Sequence, residues 1–187
     1  MIRVVLTVLL AVALVAASLP ALDATRTETT AERIGAEAER IERAAADLVA
    51  GSVAVDEPAL AARGSLVVRA PSGFAAAPID DLTLVNVDPD RDGEASVDRS
   101  NGAVIERDDG TVVGGGDEGG VTSADVALAY RFRGEPVRVI PIPNPTDTVG
   151  LSVFEGPITL RSTGESRIEF RFVTDEEKTS VLISRTG

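Results

Sequence analysis

Cysteine, histidine and tryptophan are absent from this 187-residue chain, and lysine occurs once, at Lys178. Each absence removes a class of chemistry. Without cysteine there is no disulfide framework, no thiolate metal site and no lipid-modified cysteine, so any outer domain must be held together by its core. Without histidine there is no Ser-His-Asp triad, no Cys-His pair and no histidine zinc centre. Aromatic residues are scarce, with five phenylalanines and one tyrosine. Phe170, Phe172, Tyr130, Phe132 and Phe154 are therefore expected in the core. Basic residues are outnumbered, 18 against 30 acidic ones, for a formal charge of −12. That balance argues against nucleic acid, which requires a basic face.

Other motifs fail on inspection. The glycine-rich run Gly114–Gly120 is no phosphate-binding loop, because no Gly-Lys-Ser/Thr follows it. Lys178 and Ser180 do not have the spacing of a Ser-Lys dyad. The pairs Asp80-Asp81, Asp108-Asp109 and Glu176-Glu177 are read as surface in a chain this acidic. Neither an enzymatic activity nor a cofactor is expected.

The N-terminus holds more signal. Residues 2–22 form an apolar segment whose one charge is Arg3, and its 21 residues approach the roughly 20 that a helix needs to cross a bilayer. The expectation is a transmembrane anchor with a cytoplasmic N-terminus and the remainder outside. The alternative is a cleaved signal peptide, with small residues near Ala16-Ala17-Ser18 as the processing site and a secreted product if residues 1–18 are removed. Pro20 is expected to interrupt the helix.

Residues 23–52 read as a helical stalk. Ala31, Ile34, Ala38, Ile41, Ala45 and Leu48 are spaced 3, 4, 3, 4, 3, the seam of a coiled coil. Ile34, Ala38, Ile41, Ala45 and Leu48 are accordingly the candidate partner-binding residues, either for other membrane-anchored subunits or for a second copy. The same spacing also fits an amphipathic helix packed on its own domain.

After a linker at 53–63, residues 64–187 read as a β-rich domain outside the membrane. Short β-branched runs recur about every ten residues between turn clusters, which favours an antiparallel sandwich. The expected strands cover 65–70, 82–87, 103–107, 125–133, 137–140, 149–154, 158–161, 167–173 and 180–184. Thr163-Gly164 and Gly134-Glu135 are the expected hairpin turns. The proline-rich 140–145 segment reads as an edge strand, since proline removes ladder donors. The complete expectation is an N-terminal transmembrane helix and amphipathic stalk followed by a mainly antiparallel β domain, α+β overall.

One weak metal motif is present. Asp88, Asp90 and Asp92, followed by Gly93, match the opening of a calcium loop. The position that should hold the bidentate glutamate is Arg99.

The opening residues MIRVVLTVLLAVALVAASLPALDATRTETTAERIGAEAERIERAAADL and the closing GPITLRSTGESRIEFRFVTDEEKTSVLISR together resemble an uncharacterised haloarchaeal membrane-anchored family encoded beside type IV pilus-like secretion machinery. The resemblance implies a membrane-anchored, outward-facing accessory component of such an apparatus. It carries no catalytic motif. The chain differs from true pilins, because no basic-glycine processing site precedes the apolar run and no glutamate follows just inside it. The other reading from sequence is an envelope-binding module, with calcium as its possible ligand.

Overall fold

The computed structural model describes residues 2–87, 125–175 and 178–186. They form one helix, α1 (Ile2–Gly51), and eight strands: β1 (Ala62–Ala70), β2 (Ile79–Asn86), β3 (Val126–Phe132), β4 (Val137–Ile142), β5 (Val149–Val153), β6 (Ile158–Thr159), β7 (Gly164–Asp175) and β8 (Lys178–Arg185).

The strands build two four-stranded sheets, ordered β1-β7-β8-β5 and β4-β3-β2-β6. Every pairing is antiparallel except β5 with β8, which is parallel. Alternation fixes the faces. Ile168, Phe170 and Phe172 of β7 turn into the same core as Leu128, Tyr130 and Phe132 of β3. The Tyr130 and Phe132 rings meet edge to face at 5.3 Å. The other face of the second sheet gathers Val85, Ala127 and Ala129 into a smaller apolar cluster. Phe154 departs from expectation. It is 49% exposed, just beyond the end of β5.

The N-terminal half of the expected architecture does not hold. No separate anchor and stalk exist: α1 is one 50-residue helix that continues through residue 20. A proline removes one rung of the hydrogen-bond ladder, and here that loss ends nothing. Among the described residues no helix is long and apolar enough to cross a membrane. The single-pass anchor, and the localisation drawn from it, are therefore corrected.

The coiled coil is corrected as well. Ile34, Ala38, Ile41 and Ala45 lie in the main core with both sheets, and Leu48 packs against it half-buried. The C-terminal half of α1 packs on β1, β4 and β7. Since β1 and β4 are edge strands of different sheets, the helix closes one open side of the sandwich. Heptad spacing marks an apolar stripe on a helix, and the partner of that stripe turned out to be the chain's own sheets.

The helix and the loops also satisfy exposed sheet edges. Glu37, held by Arg40 at 2.7 Å, accepts the Arg69 N–H on the β1 edge at 3.1 Å. Pro141 sits in edge strand β4, as expected for a residue without a donor. On the β5 edge, Asn144 Oδ1 accepts the Leu151 N–H at 3.1 Å. Asn86 Oδ1 accepts the Val153 N–H at 2.7 Å and returns a bond from Nδ2 to the Val153 carbonyl at 3.1 Å. Two asparagine side chains thus stand in for a fifth strand. A free edge would otherwise template pairing with another chain.

Gly134, with φ 78°, makes the expected turn between β3 and β4. Gly164, with φ 86°, does not make a hairpin, because β6 and β7 belong to different sheets.

Candidate functional site: the free half of the helix

The helix divides sharply at Thr30. From there on, its apolar stripe is built into the domain. Thr30 is buried, donates to the Arg26 carbonyl at 2.7 Å and accepts the Ala77 N–H at 2.9 Å. The second of these bonds fastens α1 to the segment leading into β2. Next to it, the Arg26 guanidinium lies 5.7 Å from the ring of Phe74, a phenylalanine that is 89% exposed.

N-terminal to the contact between Arg26 and Phe74, the described apolar side chains of the helix stand exposed to solvent. Val4, Val5, Leu6, Val8, Leu9, Leu10, Val12 and Leu14 are each between 56% and 68% exposed. At 100° per residue these eight side chains surround the helix on all sides. An amphipathic surface helix leaves a polar face, and this segment has none. Its one hydroxyl in that stretch, Thr7, donates back to the Arg3 carbonyl at 2.8 Å. Arg3 has no acidic residue in its own first turn. A cation at a helix N-terminus also opposes the helix dipole, so it favours a carboxylate from elsewhere.

The remaining polar features are structural. Lys178 Nζ lies 3.6 Å from Asp125 Oδ2, which also accepts from Asn144 Nδ2 at 3.3 Å. Gly150 packs beneath them, where a Cβ would come within 2.6 Å of Asp125 Oδ2. The lone lysine thus holds β8 to the start of β3. Asp80 pairs with Arg133 at 3.4 Å, and Asp81 accepts the Thr83 hydroxyl at 3.2 Å, so that acidic pair is surface. A shallow cleft of about 300 Å³ is lined by Phe154, Glu155, Thr159 and Arg185, among others. Arg185 there donates to the Thr159 carbonyl at 3.3 Å.

Burial pushes the Tyr130 phenol above its ordinary value, against the opposing pull of the Arg138 guanidinium. Arg138 also stacks 5.5 Å from Phe132 and pairs with Glu135 at 2.8 Å. Tyr130 and Phe132 are buried, while Arg138 and Glu135 lie over them at the surface.

The sequence-derived sites fare differently from one another. Ile34, Ala38, Ile41, Ala45 and Leu48 are brought together, but inside the molecule. Asp88, Asp90 and Asp92, with the expected strand 103–107, lie outside the described residues. Among the described residues, no cluster of three or more carboxylates could hold a metal ion. Sequence reasoning missed Phe74 and the two capping asparagines. Phe74 did carry a signal: it is an aromatic in a Pro-Ser-Gly turn, where the core does not reach.

No curated protein and no solved structure matches this chain. A family model described as Domain of unknown function (DUF7311) matches residues 1–186. With that match spanning all but its last residue, the chain belongs to the DUF7311 family.

Proposed function

We propose that this chain is a non-catalytic structural or accessory component of a pilus-like or secretion apparatus, joined to other helices of that assembly through the free half of α1. The observation that carries the reading is the division of one helix. Its second half is core to the β domain, while its first half offers apolar side chains on every side. Exposed apolar surface on this scale marks an interaction site. The rest of the molecule serves that role as a rigid carrier. Its β5 edge is capped, and its polar clusters pair among themselves.

Photo-crosslinking in cells tests the reading, with the probe placed at Leu9 and, as a control, at exposed Arg63 on β1. The expected result is an adduct from Leu9, and not from Arg63, that maps to an apolar helix of a platform or pilin-like subunit or of this same chain. Leu9→Asp should abolish that association while the domain stays folded. Adducts to lipid alone, or none at all, would overturn the proposal.

A further inference from the structure

Lys178 is the only lysine among 18 basic residues, and charge alone does not explain why it is not an arginine. A surface ion pair is made at least as well by arginine, whose planar guanidinium presents more donors. What arginine cannot supply is an amine that gives up a proton and becomes a nucleophile. Lys178 stands beside the two other groups that such an amine needs. Its Nζ lies 3.6 Å from Asp125 Oδ2, and the same oxygen accepts from Asn144 Nδ2 at 3.3 Å. One carboxylate thus bridges an amine and a carboxamide. At the other end of that carboxamide, Asn144 Oδ1 accepts the Leu151 N–H at 3.1 Å, which polarises the carbonyl.

We infer that Lys178 Nζ and Asn144 Cγ join in an isopeptide bond, a covalent staple between β8 and the connection from β4 to β5. The step balances without a further reactant. The lysine ammonium passes a proton to the Asp125 carboxylate, and the amine adds to Asn144 Cγ. The Leu151 N–H holds the oxyanion so formed, as a backbone donor does in acyl transfer. Asp125 gives its proton to the asparagine nitrogen and takes the surplus proton from the new C–N bond. The bond from Cγ to Nδ2 breaks, and ammonia leaves, carrying that last proton away as ammonium. An amide remains, and Asp125 is a carboxylate again. A carboxylate repels attack at its own carbon, so Asp125 is the proton carrier and the neutral carboxamide is the electrophile.

The surroundings fit these roles. Gly150 lies beneath the cluster, where a Cβ would stand 2.6 Å from Asp125 Oδ2 and 3.2 Å from Lys178 Cε. Any side chain there would push the lysine and the carboxylate apart. Asp125 keeps 20% of its side-chain exposure, while Lys178 is 70% exposed, so the leaving ammonia has a way out to solvent. Asn144 is followed by Pro145, which has no N–H. The usual loss of an asparagine amide, by attack from the next backbone nitrogen, is therefore closed, and the carboxamide is kept for the lysine. In a chain without cysteine, such a bond takes the place of a disulfide, closing the loop from 144 to 178 and restricting the unfolded chain.

Peptide mass spectrometry of the purified full chain tests the bond. The expected result is a branched peptide that joins the segment carrying Asn144 to the segment carrying Lys178, lighter than the two parts by one ammonia. Lys178→Arg keeps the ion pair and should give only linear peptides. Its melting temperature should fall by about 10 °C, as for loss of a cross-link closing a loop of this length. Asp125→Asn keeps the amine and the carboxamide without the proton carrier, and should be recovered mostly unlinked. Linear peptides alone from the wild-type chain overturn the inference, whether or not either variant folds. A branched peptide lighter by one water also overturns it, because the bond would then lie at Asp125.

Discussion

Tyr130 is the only tyrosine in the chain and one of the few ionisable groups in the core, 5% exposed. Its phenol is held above its ordinary value by desolvation, with Arg138 opposing. The linkage sign follows. A folded-state value above the unfolded one means that the folded state keeps its proton longer. The stabilisation from the neutral phenol is complete below about pH 10 and falls as pH rises beyond it. The expected outcome is alkaline unfolding that coincides with phenolate absorbance, an unambiguous signal with one tyrosine present. Tyr130→Phe should flatten that loss. If Tyr130→Phe unfolds over the same alkaline range, the phenol is not its cause. Glu155 shows the opposite kind of residue-scale constraint. It adopts φ 63°, a left-handed conformation that favours glycine or asparagine, and Gly156 follows it with φ 96°. The turn between the two sheets is made at some cost by a residue poorly suited to it.

At the scale of elements, α1 is one helix with two different surroundings. Its C-terminal half is held by apolar burial, with Ile34 and Ile41 almost completely shielded from water. Each such side chain contributes roughly 1.5–3 kcal/mol on burial. Ile41→Ala should therefore lower unfolding free energy by about 2–5 kcal/mol, as cavity-forming substitutions do. Denaturant titration at several protein concentrations checks this. The loss should be independent of concentration, because the seam packs within one chain. A small, concentration-dependent loss would return the seam to an intermolecular role. The β5 edge illustrates the complementary device. Asn86 and Asn144 bond to backbone groups that have no neighbouring strand, so the sheet ends without inviting another chain.

At the scale of the whole molecule, charge and ion pairing pull in different directions. The chain carries −12, and its described ion pairs are mostly exposed, as at Arg69 with Glu165 and Arg43 with Glu39. Exposed pairs contribute at most about 1 kcal/mol each and weaken with salt. Self-repulsion among excess carboxylates is also screened, and at 1 M salt the screening length is about 3 Å. With a surplus of twelve acidic residues, relief of repulsion should dominate. The melting temperature is expected to rise steadily as potassium chloride goes from about 0.1 M to about 1 M. A falling melting temperature would show that the ion pairs matter more than the surplus.

The sequence by itself determined the local pattern. Period-two alternation placed β3 and β7 with the correct faces inward, because a strand's side chains must alternate whatever it pairs with. Pro141 marked an edge strand, and Gly134 marked a turn, since both are properties of single residues. The absence of histidine and cysteine bounded the chemistry for the same reason. What a surface packs against is a different kind of fact. A stripe at Ile34, Ala38, Ile41 and Ala45 looks the same whether it meets a partner or its own sheets, and only the tertiary structure placed it in the core. The parallel pairing of β5 with β8 joins strands with two others between them in sequence, so no local signal encodes it. Asn86 read as part of a strand and Asn144 as part of the extended proline-rich segment, and only the fold brought the β5 edge within their reach. Likewise, one continuous helix joins the two apolar patterns at the N-terminus, and its domain covers one half and leaves the other exposed.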